Sequence, residues 1–571
     1  MKRLSLGLLL VVLSWSHCGN SQQQDSSAFE YREVYLPQLP SDEARKLNLN
    51  SVDRDWGIWG HNLSVVLPKD PSPSVYTKSG NSINKEQFCF SSDILFDYIK
   101  DYISDNYGRD IPMRFAILPN DNPVVCQCPQ CTEHGNTSGD ASGAVYYLLE
   151  RLTREYPKHQ FFTSYYRTAT GLPRRPLPDN AGVLISAIDY PLCTVATPQE
   201  NDFKRLLSQW SGLTKHIYVW DYINNFDDYF TPFPVFDVVQ RRLQIYADNG
   251  VTGVFFNGSG PDYSTMSRIK THVIAALMDD PALDWRPMLK DLCSRMYPVT
   301  GDMISRFMIR QEDMIRDNGK PLPLYEGIVR ETATYLPVKD FVDFHSEVIN
   351  MLPHIKDPEF TEIQQMSRAL MLTHLELMRI SADTLGARRM LAGLDRLVRQ
   401  GVNTYSEAGG STESYISEYR YMLRHLDETG RRNLLRGVHI EPLTALDEDY
   451  QDISILTDGM LGLPSSYHCG QMLSSADPAL KLAIPKVKGI KRLRVYMTRN
   501  AIYHIALPLS VSLSVDGQEV SRQVPKPMSG NNQRAMVEFG IPSGSKGSLI
   551  LTVVRNKDER TMALDEIEGF R

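Results

Sequence analysis

An aspartate that follows a short apolar run is the first residue of this sequence whose surroundings suggest catalysis. Residues 115–118 are apolar, the run stops at Pro119, and Asn120, Asp121 and Asn122 follow directly. This order predicts a buried strand that ends in a polar tip. In an α/β barrel the loops after the strands gather around one mouth, where catalytic residues lie. We therefore predict that Asp121 is the general acid of such a mouth.

Two further aspartates end predicted strands and are candidates for a second catalytic role. Cleavage between two sugars needs a proton donor for the leaving oxygen and a group that stabilises the developing oxocarbenium ion, and two carboxyl groups usually share these tasks. Asp189 and Asp221 are predicted to join Asp121 at the mouth, and Glu33 is a weaker candidate. A single aspartate after a strand is more often a helix cap or a turn former. The prediction therefore depends on finding all three aspartates at the same mouth.

Aromatic residues are frequent at the same predicted strand ends. The apolar faces of sugar rings stack on aromatic side chains, while carboxylates, amides and arginines hydrogen-bond the hydroxyls. The alternative interpretation is that about half of these rings fill layers of the barrel core. Arg32 is predicted at the tip of the first strand, where its guanidinium can bind two hydroxyls. The candidate substrate contacts are Arg32, Trp59, His61, Asn120, Asn122, Tyr165, Trp220, Tyr222 and Asn257.

A group of cysteines follows the predicted catalytic loop. Its members are Cys126, Cys128 and Cys131. Three thiolates at this spacing can bind one metal ion, and Cys89 or His134 can complete a tetrahedral site. The competing interpretation is a disulfide that links Cys89 or Cys193 to this loop, which an oxidising compartment favours. A structural zinc ion, a disulfide and free thiols all stay open here, and no cofactor is expected for catalysis.

Short β-rich segments alternate with helical patterns between residues 29 and 260, which is typical of βα units around a parallel sheet. The predicted strands cover residues 30–35, 57–66, 87–90, 114–118, 160–166, 182–188, 216–220 and 251–256. Eight strands close a TIM-type (β/α)8 barrel. We therefore predict an α/β fold with a barrel catalytic domain over residues 27–280.

The rest of the chain divides into a helical part and a β-rich part. Amphipathic patterns at residues 302–315, 341–351 and 362–384 predict a helical domain over residues 281–441. Alternating apolar residues at 493–497, 509–515, 534–539 and 548–554 predict a C-terminal β-sandwich over residues 442–571.

The first 26 residues are typical of an export signal with a polar tether. Lys2 and Arg3 precede an apolar run, residues 4–13, that is too short to span a membrane. Cys18 stands where a bacterial lipoprotein is cleaved and acylated, and a plain signal peptide cut near Ser21 is the alternative. We expect a location in the periplasm or at the outer-membrane surface, with membrane contact only through a lipid on Cys18.

Composition and net charge indicate which kinds of molecule this protein is expected to bind. The chain has 571 residues, of which 42% are hydrophobic and 23% charged, and this is enough for several domains with full cores. Its formal net charge of -7 offers no basic surface to a phosphate backbone, so nucleic acid is not an expected partner. A neutral glycan substrate fits this composition better.

Several segments resemble, in their order, a family of secreted Bacteroidetes barrels long carried as a domain of unknown function. The segments are EYREVY, WGIWGHNLSVVLP, FCFSSD, PNDN followed by CQCPQC, SAIDYPLC, HIYVWDYINNF and GVFFNGSG, between residues 29 and 300. Some members, in glycoside hydrolase family 163, are endo-β-N-acetylglucosaminidases that cut the core of complex N-glycans. The resemblance implies a TIM barrel and a hexosamine-containing glycan as substrate.

Related hexosaminidase barrels use the acetamide oxygen of the substrate as nucleophile. In them an adjacent Asp-Glu pair follows the fourth strand, where one residue orients the acetamide and the other donates the proton. This sequence has Asn120, Asp121 and Asn122 there. The resemblance therefore implies either Asp121 as donor with an Asn or Asp189 orienting the acetamide, or a conventional pair of Asp121 with Asp189 or Asp221.

The expected function is that of an exported glycoside hydrolase acting on a β-linked N-acetylhexosamine in glycans such as N-glycans. The rival hypothesis is a non-catalytic glycan-binding lipoprotein on the same barrel. Fold alone does not separate the two, because barrels host many functions.

Overall fold

The computed structural model describes residues 27–571 except 80–81, 395–400, 529–530, 544–546, 548 and 558–560. The predicted signal peptide, with Cys18 and Ser21, lies outside the described residues. Within the described part, none of the helices combines the length and the apolar character that a membrane span requires.

A parallel sheet of seven strands, curled into a half-barrel, forms the first part of the fold. The strands follow the order β1–β9–β8–β7–β6–β5–β2, and a separate hairpin contains β3 and β4. Their bounds are β1 (Tyr31–Tyr35), β2 (Trp56–Ile58), β3 (Tyr76–Ser79), β4 (Ser82–Phe88), β5 (Arg114–Ala116), β6 (Gln160–Tyr165), β7 (Ala181–Ser186), β8 (His216–Tyr222) and β9 (Gly253–Asn257). The mixed α/β class predicted from the sequence is confirmed.

Within the described residues the parallel sheet does not close into the predicted (β/α)8 barrel, because the predicted third strand lies elsewhere. Residues 87–90 overlap the end of β4, which pairs antiparallel with β3 outside the parallel sheet. The amide of Gln87 explains this position, since its oxygen accepts from the Asn120 N–H at 2.9 Å and its nitrogen donates to the Asn120 carbonyl at 3.1 Å. The segment therefore braces the loop after β5, and β2 pairs directly with β5.

Side chains bridge the seam between β1 and β2, which are not neighbours in the sheet as described. The rings of Tyr31 and Trp56 meet edge to face with centroids 5.8 Å apart. The buried carboxyl of Glu33 accepts from the Val52 N–H at 2.8 Å and from the Tyr31 hydroxyl. Burial raises the pKa of Glu33 to about 7. Glu33 thus links β1 to the segment that leads directly into β2.

The raised pKa of Glu33 predicts a pH-dependent loss of stability. The folded state holds this proton more tightly than the unfolded state, so the free energy of unfolding falls as the pH rises from 4.5 to about 7. Glu33→Gln removes the titration and keeps an acceptor for Val52. The stability of the wild type relative to the variant should decline by up to about 3 kcal/mol across this window. Urea unfolding at several pH values measures the difference, and a constant difference would contradict the prediction.

Helices cover the outer face of the half-barrel. They are α1 (Ser41–Leu47), α2 (Val52–Asp55), α3 (Asp93–Asn106), α4 (Pro129–Glu133), α5 (Ser142–Glu155), α6 (Pro198–Ser211), α7 (Phe236–Asp248) and α8 (Ser267–Asp279). Local sequence explains their starts: the Ser92 side chain caps α3, and Thr197 caps α6 with Pro198 in its first turn. Apolar residues at helical spacing then bury one face of each long helix.

A helical part follows, and it packs on the half-barrel. Its helices are α9 (Trp285–Met296), α10 (Gly301–Asn318), α11 (Ile328–Thr334), α12 (Val338–Met351), α13 (Glu359–Ile380), α14 (Thr384–Leu394) and α15 (Thr412–Thr429). One apolar cluster joins α9, α10 and α12 to the half-barrel helices. A second cluster joins α13, α14 and α15 to the chain that follows β8. The predicted amphipathic segments correspond to α10, α12 and α13.

The C-terminal part is β-rich, as predicted, and its strands pair antiparallel except for one parallel pair. One sheet has the order β10–β12–β19–β15–β16, and the other has the order β11–β20–β13–β18–β17, with β14 beside β20. The strands are β10 (Glu441–Pro442), β11 (Met472–Ser474), β12 (Ala479–Ile484), β13 (Arg492–Thr498), β14 (Ile505–Ala506), β15 (Ser510–Val515), β16 (Gln518–Gln523), β17 (Pro527–Met528), β18 (Asn531–Gly540), β19 (Leu549–Val554) and β20 (Thr561–Phe570). Apolar residues of both sheets form a single core cluster.

Candidate functional site

A cavity of about 210 Å³ opens where the strands of the half-barrel end. Its walls include five of the residues predicted from the sequence, which are His61, Asp121, Trp220, Tyr222 and Asn257. They come from the segments after β2 and β5 and from the ends of β8 and β9. Ligands of α/β proteins bind at this end of a parallel sheet.

Aromatic and hydroxyl side chains form the inner wall of the cavity. Trp220 stacks on Trp59, with ring centroids 5.0 Å apart and an interplanar angle of 14°. Trp59 therefore supports the wall, and it is Trp220 that lines the cavity. The Tyr222 hydroxyl lies 3.3 Å from the Ser186 hydroxyl, and both residues line the cavity. This surface suits a ligand with one apolar face and several hydroxyls.

Asp221 lies on the opposite face of β8 from the cavity. Side chains alternate along a strand, so Trp220 and Tyr222 face inward and the residue between them faces outward. Its buried carboxylate accepts from the Tyr246 hydroxyl at 2.6 Å and from the Tyr222 N–H at 2.7 Å, and it pairs with the buried Arg242. The predicted position of Asp221 at the mouth is therefore wrong. Its carboxylate links α7 to the sheet through Arg242 and Tyr246.

The same alternation moves two predicted substrate contacts to the outer face. Arg32 is buried on β1, where it pairs with Asp279 of α8 and is not part of the cavity. On β6 the ring of Tyr165 faces outward and meets Trp210 of α6, with centroids 6.4 Å apart. The next residue, Tyr166, lines the cavity instead.

The polar tip after β5 contributes one side chain to the cavity. The amides of Asn120 and Asn122 both donate to the Glu86 carbonyl at 2.8 Å, so these two predicted contacts hold the loop. Asp121 between them lines the cavity. Asp189, on the turn after β7, is exposed and lies outside the cavity.

Asp121 forms an ion pair at the rim of the cavity. Its Oδ1 lies 2.9 Å from Nε of Arg167, and both side chains are close to half exposed. The same Nε donates to the Tyr166 hydroxyl at 3.1 Å. Arg167 adopts a left-handed backbone conformation with φ of 46°, which a non-glycine residue rarely does. The strained turn after β6 therefore places a cation beside the Asp121 carboxylate.

The second carboxylate of the cavity is Glu407, which was not predicted from the sequence. Tyr325, another cavity residue, donates its hydroxyl to Glu407 Oε2 at 3.0 Å. The Glu407 carboxylate is exposed at the mouth of the cavity. Partial burial by the surrounding protein nevertheless raises the pKa of Glu407, and the negative charges of Asp227 and Asp121 raise it further. The only sequence signal nearby is Gly409-Gly410, which predicts a break in the helical pattern.

The four cysteines at and near the Asp121 loop come together. The sulfur atoms of Cys89, Cys126, Cys128 and Cys131 all lie within 4.8 Å of one another, and the four residues are buried. The ring of His134, the alternative fourth ligand, stacks on Tyr147 instead, with centroids 3.7 Å apart. Within the described chain, none of the seven cysteines forms a disulfide. Cys193 is also separate from this group, since its thiol donates to the Gly319 carbonyl at 3.2 Å.

The loss of stability in two aspartate variants should distinguish Asp221, a buried structural carboxylate, from Asp121, a carboxylate of the cavity. Asp221→Asn leaves the buried Arg242 charge without its partner, so the free energy of unfolding should fall by about 3–5 kcal/mol. Asp121→Asn alters a half-exposed ion pair and should cost about 1 kcal/mol or less. Urea unfolding of the two variants beside the wild type measures both losses. Losses of equal size would contradict the two placements.

The fold and the site define an α/β half-barrel protein whose mouth carries two carboxylates among aromatic and hydroxyl side chains. A family model, described as domain of unknown function DUF4838, matches residues 19–308. The chain therefore belongs to the DUF4838 family. No curated protein matches the chain.

Three solved structures match this chain at low sequence identity. A family GH115 4-O-methyl-α-glucuronidase with specificity for decorated arabinogalactans is 12% identical, with a TM-score of 0.34 and coverage of 87% of this chain and 68% of that chain. A GH138 enzyme targeting pectin rhamnogalacturonan II is 8% identical, with a TM-score of 0.31 and coverage of 94% and 84%. A CBM32 module from a family 31 glycoside hydrolase of Clostridium perfringens is 14% identical, with a TM-score of 0.18 and coverage of 24% and 97%.

Proposed function

We propose that this protein is a glycoside hydrolase that uses Glu407 and Asp121 as its pair of carboxyl groups. The observation that carries the proposal is that both side chains line one aromatic cavity at the end of the parallel sheet. Most glycoside hydrolases place two carboxyl groups beside the bond that they cleave. The proposal changes the pair expected from the sequence, in which Asp189 or Asp221 was the partner of Asp121.

The environments of the two carboxyl groups suit different roles. The raised pKa of Glu407 keeps more of this residue protonated near neutral pH, as a donor to the leaving oxygen requires. The Arg167 guanidinium pairs with the Asp121 carboxylate at the rim of the cavity. Asp121 then stabilises the developing positive charge, or orients the acetamide of the substrate in a substrate-assisted reaction. The reverse assignment, with Asp121 as the donor, is the one predicted from the sequence.

The substrate that we propose is a β-linked N-acetylhexosamine, as in N-glycans. The cavity of about 210 Å³ is smaller than the roughly 300–1,000 Å³ of sites for drug-sized ligands, so it fits a single sugar ring. Trp220 offers an apolar surface to the ring or to the acetamide methyl group, and Tyr222 and Asn257 offer hydrogen bonds. His61 adds a further contact: its Nδ1 lies 2.6 Å from the Pro119 carbonyl, so that nitrogen is the donor and Nε2 is an acceptor in the neutral ring.

Kinetics on defined glycosides test the proposal. The full chain is incubated with aryl β-N-acetylglucosaminides, aryl β-glucosides and a complex N-glycan. Turnover is expected on the acetamido substrates, and Glu407→Gln and Asp121→Asn should each lower kcat by about 10²- to 10⁴-fold. The matched control is Asp202→Asn, an exposed aspartate of α6 outside the cavity. Glycan binding without products, in calorimetry and product analysis, would favour the non-catalytic alternative and overturn the proposal.

Tyr325 provides a test of which carboxyl group donates the proton. Its hydroxyl stabilises the charged form of Glu407, so Tyr325→Phe should raise the pKa of Glu407 further. An acid must be protonated to act, so activity falls as the pH rises through its pKa. The alkaline limb of the kcat/KM profile should therefore move to higher pH in Tyr325→Phe. An unchanged alkaline limb would assign the donor role to another group.

Export completes the proposal, because host-type glycans lie outside the cell that would degrade them. The proposal of export is based on the charged and apolar pattern of residues 1–26, and a lipid on Cys18 is the proposed membrane anchor. Labelled palmitate in cells producing the full chain tests the anchor. Incorporation should disappear in Cys18→Ala and persist in Cys293→Ser.

A further inference from the structure

We infer that Cys89, Cys126, Cys128 and Cys131 bind a structural zinc ion that fixes the loop carrying Asp121. The four buried sulfur atoms all lie within 4.8 Å of one another. Two independent features, the spacing of the sulfur atoms and the donors around them, support a metal ion over disulfides.

The spacing of the sulfur atoms fits a tetrahedral metal thiolate site. Zinc–sulfur bonds of about 2.3 Å in a tetrahedron place the sulfur atoms about 3.8 Å apart. The Cys89 sulfur lies 3.7 Å from the sulfur of Cys128 and 3.7 Å from that of Cys131. A disulfide would instead bring two sulfurs to about 2.05 Å and separate them as a pair from the others. One sulfur at equal distance from two others matches a shared metal ion.

The groups around the sulfur atoms are suited to thiolates. The Lys78 N–H donates to the Cys126 sulfur at 3.4 Å, and the Cys131 N–H donates to the Cys128 sulfur at 3.4 Å. The Ser91 hydroxyl lies 3.0 Å from the Cys131 sulfur. Buried thiolates that are this close repel one another unless a cation compensates their charge. An all-sulfur tetrahedral set selects zinc over hard cations such as calcium or magnesium.

The site joins three segments of the chain. Cys89 follows β4, Cys126 lies in the loop after β5, and Cys128 and Cys131 belong to the start of α4. A backbone hydrogen bond of 3.1 Å from Gln127 to Lys78 lies beside the site. A metal ion here closes the loop between the hairpin and α4 and stabilises the fold by binding only the folded arrangement. Asp121 lies five residues before Cys126, so the same ion fixes the rim of the cavity.

Metal analysis of the full chain tests this inference without any substrate, and so independently of the proposed function. Protein produced with zinc in the medium is desalted and measured by plasma mass spectrometry. We expect about one zinc ion per chain, and a loss of nearly all of it in Cys128→Ser and Cys131→Ser. The matched control is Cys293→Ser, which alters a buried cysteine of α9 outside the group and should retain the zinc.

Two further measurements on the wild type keep the test decisive if the variants do not fold. Stepwise titration with a mercurial thiol reagent should release zinc, detected with a chromogenic chelator, and lower the unfolding temperature. Exchange with cobalt should give the visible absorption of a tetrahedral cobalt thiolate. A metal-free chain whose four cysteines resist alkylation because they form two disulfides would overturn the inference, and so would iron bound in place of zinc.

Discussion

The cavity depends on the docking of one loop, the chain that follows β8, onto segments far along the sequence. The Phe226 N–H donates to the Leu324 carbonyl at 2.7 Å, and the Phe226 carbonyl accepts from the Glu407 N–H at 2.8 Å. The Tyr229 N–H donates to the Tyr405 carbonyl at 2.8 Å. These backbone bonds, and the apolar cluster around them, bring Glu407 over the open end of the half-barrel.

Buried polar groups also anchor the same loop. Their hydrogen bonds connect the half-barrel, the helical part and the C-terminal part at one place. Asp227 accepts from the Tyr467 hydroxyl at 2.5 Å and lies 2.9 Å from Nε2 of His468, both in the C-terminal part. The Asn225 amide donates to Glu331 of α11 at 2.8 Å. Buried polar groups that lack partners are costly, so this network specifies one relative position of the three parts. The helical and β-rich parts therefore help to shape the site.

The sequence predicted what depends on local pattern and missed what depends on distant contacts. Apolar runs located the strands of the half-barrel, and the break at Pro119 located Asp121, because burial and turn chemistry act within a few residues. The outward position of Asp221 was also available, since a residue between inward-facing Trp220 and Tyr222 must face outward. The displacement of the third strand could not be predicted from local pattern, because Gln87 binds a loop more than 30 residues away. Glu407 was the hardest to predict, since no strand precedes it.

The two cavity carboxylates are consequently held in place by different means. Asp121 lies on a short loop that nearby groups fix, through Asn120 and Asn122 on the Glu86 carbonyl and through the cysteine group a few residues later. Glu407 lies on a loop whose position follows from the packing of the helical part on the half-barrel. Local openings that leave the half-barrel intact would still displace Glu407, because such openings begin where few local bonds hold the chain. A pair assembled in this way exists only in the fully folded chain, so the family domain alone, which ends at residue 308, cannot contain the whole proposed site.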